Sequence, residues 1–323
     1  MQLRAARLRL RTVCRHALQS ALRRIPLSWL DRLRITAPGR QPTRQRLRTA
    51  LLEIARHRGI PSEVATFSPP DRPDLLFVNA DSMILQRLYW FGETGYEPGL
   101  VEWWRYFCRR SEQILELGAN VGYYTVQGAQ AAKTSTYVAV EPHPSAARVC
   151  EAHIAANRLT NVRLIRAAAV ADDAIATLSL TIPRRDHFGI PTGSFLPGST
   201  ELAGRPVGGP LPTVTVPGVP ITSLLADVDL LKLDVEGQEY ELLRAASEQL
   251  LVRRPTIFLE ILRNTPRLRG LVVDLCTSAG YCCYVPARGT LVRLPLDMIA
   301  SVDIKGRYDT RDVILAQPAL LAG

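Results

Sequence analysis

The sequence predicts an α/β fold: a mostly parallel sheet with crossover helices, preceded by a basic helical arm. Three observations carry this. Apolar strand-like runs alternate with helix-like runs from about residue 113 onward, at the spacing of strand–helix–strand units. The first such strand runs into a glycine turn and then a helix, in "QILELGANVGYYTVQGAQ". A chain of 323 residues, 47% of them hydrophobic, can bury a full core.

The arm comes first. The net charge of +10 is not evenly spread. The first 50 residues hold 13 arginines and one acid, Asp31, so they carry +12 and the other 273 residues carry −2. Nucleic-acid binding is therefore disfavoured, because the charge is not on the folded domain. Residues 3–25 repeat Leu3, Ala6, Leu10, Val13, Ala17 and Ala21 at helical spacing, with Arg4, Arg7, Arg11 and Arg15 on another face. Pro26 ends that helix, and Ser28 can cap a shorter one. Packing on the main domain or a second copy, peripheral membrane contact and targeting all stay open for this arm. The oligomeric state is not set by the sequence.

Residues 1–59 are read as the arm, 60–110 as an extension packing on the core, and 111–323 as the main domain. Within 60–110 a helix is predicted near 100–109. "QILELG", "TYVAVEP" and "VRLIRAAAV" read as strands, and "YYTVQGAQAAK" and "PSAARVCEAHIAANR" as helices. "ATLSLTI" is a further strand. Residues 183–220 are rich in proline and glycine and read as one long functional loop. "DLLKLDVEGQEYELLRAA" is a strand and helix, "PTIFLEI" a strand, and 265–279 a helix. "GYCCYVP" and "TLVRLP" form a hairpin, and "DVILAQP" is the last strand.

No apolar run is long enough to span a membrane, and no secretory leader is seen. The six cysteines contain no CxxC pair, which disfavours a zinc cage and suggests reduced thiols in the cytoplasm.

The chemistry concentrates at three places. Gly118, Asn120 and Gly122 form a turn at the carboxyl end of a strand, where such sheets bind nucleotides. The central glycine of the dinucleotide fingerprint is missing, and Glu116 would repel a pyrophosphate. That argues against a nicotinamide-dependent oxidoreductase. Glu141 ends the next strand, where an acid can accept bonds from ribose hydroxyls. A ribose partner plus an acid at the turn suits a cationic nucleoside, S-adenosylmethionine. In "LLKLDVEGQEYELL", Lys232, Asp234, Glu236 and Glu239 interrupt an apolar junction. Charges there are costly unless paired or used.

These stretches resemble the FkbM family of S-adenosylmethionine-dependent methyltransferases. "LELGANVGYYT" is similar to its glycine motif, "VAVEPHP" to its ribose-binding acid, and "LLKLDVEGQEYELL" to its most specific segment. "RRPTIFLEIL" and "YWFGETGYEPGL" also resemble family segments. The resemblance implies a Rossmann-like, seven-stranded, mostly parallel sheet with an antiparallel last strand, which the final hairpin would supply. It implies O-methylation of a small-molecule or carbohydrate acceptor.

The expected cofactor contacts are Glu116 at the methionine end, Gly118, Asn120 and Gly122 in the turn, Glu141 at the ribose, and Ala167 and Ala168 beside adenine. Asp234 leads as general base, followed by Glu236 and Glu260, with His187 a weaker choice. A divalent ion held between Asp234 and Glu260 is the rival arrangement. A nucleic-acid methyltransferase and a non-catalytic interaction protein stay open as competing functions.

Overall fold

The structure, a computed structural model, describes residues 59–182, 189–192 and 211–321, apart from 263 and 288. The predicted arm helices, most of the long loop and His187 lie outside the described residues. The chain divides into two compact units between Tyr96 and Glu97. The helix predicted near 100–109 lies in the second unit.

The first unit pairs β1 (Thr66–Phe67) antiparallel with β2 (Phe77–Val78), followed by helix α1 (Met83–Phe91). Phe67 meets Tyr89 edge-on at 5.3 Å, and Arg72 bridges Asp74 and Glu93.

The second unit opens with helix α2 (Pro98–Cys108), then β3 (Gln113–Leu117), α3 (Tyr123–Ala131), β4 (Thr136–Val140), α4 (Pro144–Ala156) and β5 (Val162–Ile165). Next come β6 (Ala168–Val170), β7 (Thr177–Thr181), β8 (Thr213–Pro220) and the single turn α5 (Ile221–Leu224). Then follow β9 (Leu230–Leu233), α6 (Glu239–Ala245), α7 (Ser247–Arg253), β10 (Thr256–Glu260) and α8 (Pro266–Ala279). The chain closes with β11 (Cys282–Ala287), β12 (Thr290–Leu294), the short helices α9 (Leu296–Ser301) and α10 (Ile304–Tyr308), and β13 (Asp312–Ala316).

Eight strands form the main sheet in the order β12-β11-β13-β10-β9-β3-β4-β5. The five from β5 to β10 are parallel; β13 runs antiparallel between β10 and β11, and β12 adds an antiparallel edge. The fold is thus the expected Rossmann-like one, with two refinements. The antiparallel strand that enters the sheet is β13 rather than the hairpin, and the hairpin's second strand makes an eighth. The fold also departs from the predicted strand 162–170. After Ile165 the chain leaves the edge, and 168–170 pair with β8 in a separate three-stranded sheet. Residues 213–220, read from sequence as loop, are the central strand of that sheet.

Side-chain alternation along each central strand assigns the two faces. Leu115, Leu117, Leu231, Leu233, Ile257 and Leu259 enter the core shared with α6 and α8. Glu116, Lys232 and Phe258 point the other way, toward α2 and α3. There Trp104 of α2 packs edge-on against Tyr124, Tyr137 and Phe258, and its indole N–H donates to the Tyr124 carbonyl. Gly128 lets α2 and α3 approach; a Cβ there would lie 2.6 Å from the Trp104 indole nitrogen. Cys108, Cys150, Cys276, Cys282 and Cys283 are all free and buried.

Candidate active site

The turn after β3 is built by backbone geometry that side chains forbid. Gly118 has φ +84°, and a Cβ there would lie 1.8 Å from the Asp234 carbonyl oxygen. Two segments, the β3 turn and the end of β9, therefore touch through main chain alone. Gly122 has φ +83° and would meet the Cys150 sulfur at 2.7 Å. Asn120 takes φ +49°, which its short polar side chain tolerates by accepting the Val121 N–H. Its amide also donates to the Pro191 carbonyl, tying a short piece of the long loop to the turn.

Glu141 faces this turn. One carboxylate oxygen accepts the Asn120 N–H and the other the His143 N–H, both at 2.7 Å. Burial lifts its pKa to about 7 despite these two bonds. Each oxygen keeps a second lone pair, so the group can still accept from a vicinal diol. His143 caps α4 by accepting the Ala146 N–H, and burial lowers its pKa.

Glu116, expected at the cofactor's methionine end, faces away from the turn. It stands one residue before the strand's end, so alternation turns it beneath α3 rather than into the turn. It is 1% exposed, and one carboxylate oxygen accepts from both the Thr125 and Tyr137 hydroxyls at 2.6 Å. Burial raises its pKa, with Lys232 opposing. Lys232 is its cross-strand neighbour in β9. Ala168, expected beside adenine, packs with Leu180 and Val216 in the small sheet. Ala167 is buried beside it, at 4% exposure.

On the other side of the turn lie the acids of β9, β10 and β13. The Lys232 ammonium donates to Asp234 at 2.8 Å and sits 4.6 Å over the Tyr124 ring. Burial alone would lower the Lys232 pKa; Asp234, Glu116 and Glu97 raise it above its ordinary value. Glu236 adopts φ +54° in the loop after β9. Carboxylate oxygens of Asp234, Glu236 and Glu260 lie within 4.8 Å of one another. The structure thus brings the three catalytic candidates together. Burial, then Asp234 and Glu236, lift Glu260 to about 9, and Arg311 approaches it at 3.5 Å. Glu239 is structural: it accepts the Val235 and Gly237 N–H groups and fixes the loop.

Three further residues take part, two of them, Tyr124 and Glu97, inside segments that resemble the family's. Asp312 pairs with Glu260 across β10 and β13, accepts from the Thr310 hydroxyl, and is lifted to about 6 by burial and Asp234. Placing β13 beside β10 would have revealed it, because an antiparallel strand begins where its parallel neighbours end. Tyr124 follows the glycine turn, and Glu97 precedes α2; the Tyr124 hydroxyl donates to Glu97 at 2.6 Å.

Together these features gather a glycine turn and several carboxylates at the carboxyl ends of a parallel sheet. Its one buried lysine among the described residues is already held by Asp234. Such a donor set suits a cationic nucleoside and repels a pyrophosphate. The FkbM methyltransferase domain matches residues 116–281, just over half of the chain, and the chain belongs to the FkbM methyltransferase family. No curated protein matches the sequence.

Among solved structures, the chain is similar to the FkbM methyltransferase of Methylobacillus flagellatus KT. Identity is 15% and the TM-score 0.40, over 73% of this chain and 55% of that one. It is also similar to precorrin-6y C5,15-methyltransferase from Geobacter metallireducens GS-15. There identity is 11% and the TM-score 0.37, over 74% and 91% of the two chains. A methyltransferase from Geobacter sulfurreducens matches at 13% identity with TM-score 0.33, over 86% and 90%. The chain thus spans little more than half the length of the first of these.

Proposed function

We propose that this protein transfers a methyl group from S-adenosylmethionine to a hydroxyl of a sugar or secondary metabolite. One observation carries the reading: a glycine turn flanked by Glu141 on the β4 side and Asp234 on the β9 side, with main-chain contact between turn and β9. Gly118, Asn120 and Gly122 would shape the cofactor's seat, and Glu141 would accept its ribose hydroxyls. The bound cofactor supplies an electrophilic methyl on a sulfonium, a good leaving group.

The protein's tasks are then alignment and proton removal. Alignment of nucleophile and methyl contributes up to about 7–11 kcal/mol in the best cases. A positioned base contributes roughly 10²–10⁴-fold. Asp234 is the base: its side chain is 29% exposed, and Lys232 orients it. Glu260, lifted to about 9, holds a proton at neutral pH and serves better as a donor to the acceptor than as the base.

The test is transfer of tritiated methyl from S-adenosylmethionine into oligosaccharide and metabolite pools by the full chain. Labelled small product supports the reading; label in RNA alone overturns it. The close approach of Asp234, Glu236 and Glu260 favours one second reading, a divalent ion such as magnesium that lowers the acceptor's pKa. Activity that persists in EDTA removes it. The cytoplasmic location and the peripheral membrane contact of the arm belong to the same proposal. Among the described residues no helix is long and apolar enough to cross a membrane.

A further inference from the structure

We propose that Glu97 holds the ammonium of the methyl donor's amino-acid end, the task that the sequence pattern assigns to Glu116. This rests on S-adenosylmethionine being the cofactor.

The charge scheme leaves one task unfilled. A donor with a sulfonium and an ammonium needs an acid on the far side of the turn from the ribose. Glu141 lies on the β4 side. Glu116 is turned beneath α3 and accepts two hydroxyls on one oxygen. Asp234 is held by Lys232 and is needed at the acceptor.

Glu97 is positioned for the task. It lies at the start of α2, with φ +44° and ψ +52°, a left-handed conformation unusual for glutamate. That backbone brings its carboxylate to the Tyr124 hydroxyl, and Tyr124 is the second residue of α3, directly after the turn. Lys232 over the Tyr124 ring marks this as the β3–β9 side. Neighbouring strands are roughly 4.8 Å apart, so the ends of β4 and β9 are separated by about 10 Å, a span that accommodates ribose and ammonium on opposite flanks.

Glu97 is half-buried rather than sealed, so a ligand can reach it. Burial, Asp312 and Asp234 lift its pKa to about 8, while Lys232 and the Tyr124 hydroxyl oppose. A ligand cation would favour the ionised carboxylate and offset the repulsion from Asp312 and Asp234.

The experiment compares two ligands by calorimetry on the full chain. S-adenosylhomocysteine carries the amino-acid end; 5′-methylthioadenosine is the same nucleoside thioether without it. Glu97→Gln is expected to weaken S-adenosylhomocysteine at least tenfold and to leave methylthioadenosine within twofold. Equal weakening of both ligands, or no change in either, overturns the assignment while leaving the proposed function intact. If the unmodified protein binds neither nucleoside, the cofactor reading falls and this assignment falls with it. Where Glu97→Gln does not melt cooperatively, Glu97→Asp decides by the same selectivity: weakening confined to S-adenosylhomocysteine supports the assignment, and any other pattern overturns it.

Discussion

The two flanks of the glycine turn are built on opposite principles. On the β3–β4 flank every acid has its donors: Glu116 accepts two hydroxyls and Glu141 two backbone N–H groups. On the β9–β10–β13 flank Asp234, Glu236, Glu260 and Asp312 crowd together, and Lys232 is bonded to only one of them. Satisfied carboxylates fix a shape. Burial lifts carboxyls on both flanks, Glu141 to about 7 and Glu260 to about 9, and on the crowded flank the neighbouring acids Asp234 and Glu236 add to it. The first flank is thus suited to holding a nucleoside, and the second to moving a proton.

The largest effect should come from the crowded flank. Asp234→Asn keeps the side chain's shape and removes its basicity, so turnover should fall by roughly 10²–10⁴-fold. Cofactor affinity, measured by calorimetry, should change little if the flanks are separate. A parallel loss of affinity would break the comparison. Thermal melting must accompany this test, because the substitution also removes the anionic partner of the buried Lys232.

Gly118→Ala tests the point where the flanks touch. The added methyl must adopt φ +84° and would meet the Asp234 carbonyl oxygen at 1.8 Å, a backbone atom that cannot swing away. We expect a loss of about 3 kcal/mol or more of stability, seen as a large drop in thermal midpoint. Both cofactor affinity and turnover should fall. A midpoint unchanged within error would show that the two segments are not in contact.

Glu141→Ala should act on one flank alone. Removing a carboxylate that accepts hydrogen bonds is worth about 1.5–3 kcal/mol, or roughly 10–100-fold in cofactor affinity. Turnover at saturating cofactor should be nearly preserved. Unchanged affinity would remove Glu141 from the ribose.

This contrast explains what the sequence made legible. That β3, β4, β9 and β10 are buried parallel strands follows from apolar runs joined by helices, because centrally buried parallel strands have both faces covered. Gly118, Gly122 and Glu141 stand out because the chemistry of a turn demands them. For Glu116 the motif gives the neighbourhood, while strand alternation gives the direction of the side chain. Residues 168–170 are misplaced because an apolar run does not say which sheet it joins. Glu97 lies inside the family-like segment "YWFGETGYEPGL", which gives it no role by itself, and Asp312 belongs to no motif; each reaches the acids of the site through topology. One does so by starting a helix; the other starts a strand that runs opposite to its neighbours.

The smallest effect is a pH dependence, and it reads both flanks at once. Asp312, Glu141, Glu97 and Glu260 have folded pKa values of about 6, 7, 8 and 9. Unfolded carboxyls titrate near about 4. The folded state therefore binds more protons than the unfolded state above that pH, and stability falls as pH rises. His143, with its lowered pKa, acts in the opposite sense only below about 6.5, and the buried thiols add to the fall only as pH nears about 8.5. Between those limits Glu260 contributes to the slope throughout, Glu97 up to about pH 8 and Glu141 up to about pH 7. The thermal midpoint of the ligand-free protein should drop by a few degrees across this window. Saturating S-adenosylhomocysteine should flatten the drop, because a diol on Glu141 and an ammonium on Glu97 both favour the ionised carboxylate. Glu141→Gln and Glu97→Gln should each remove part of the ligand-free slope. Glu260→Gln should remove more; if Glu141→Gln lowers the slope and Glu260→Gln does not, the proton surplus sits on the nucleoside flank and the division between the flanks fails.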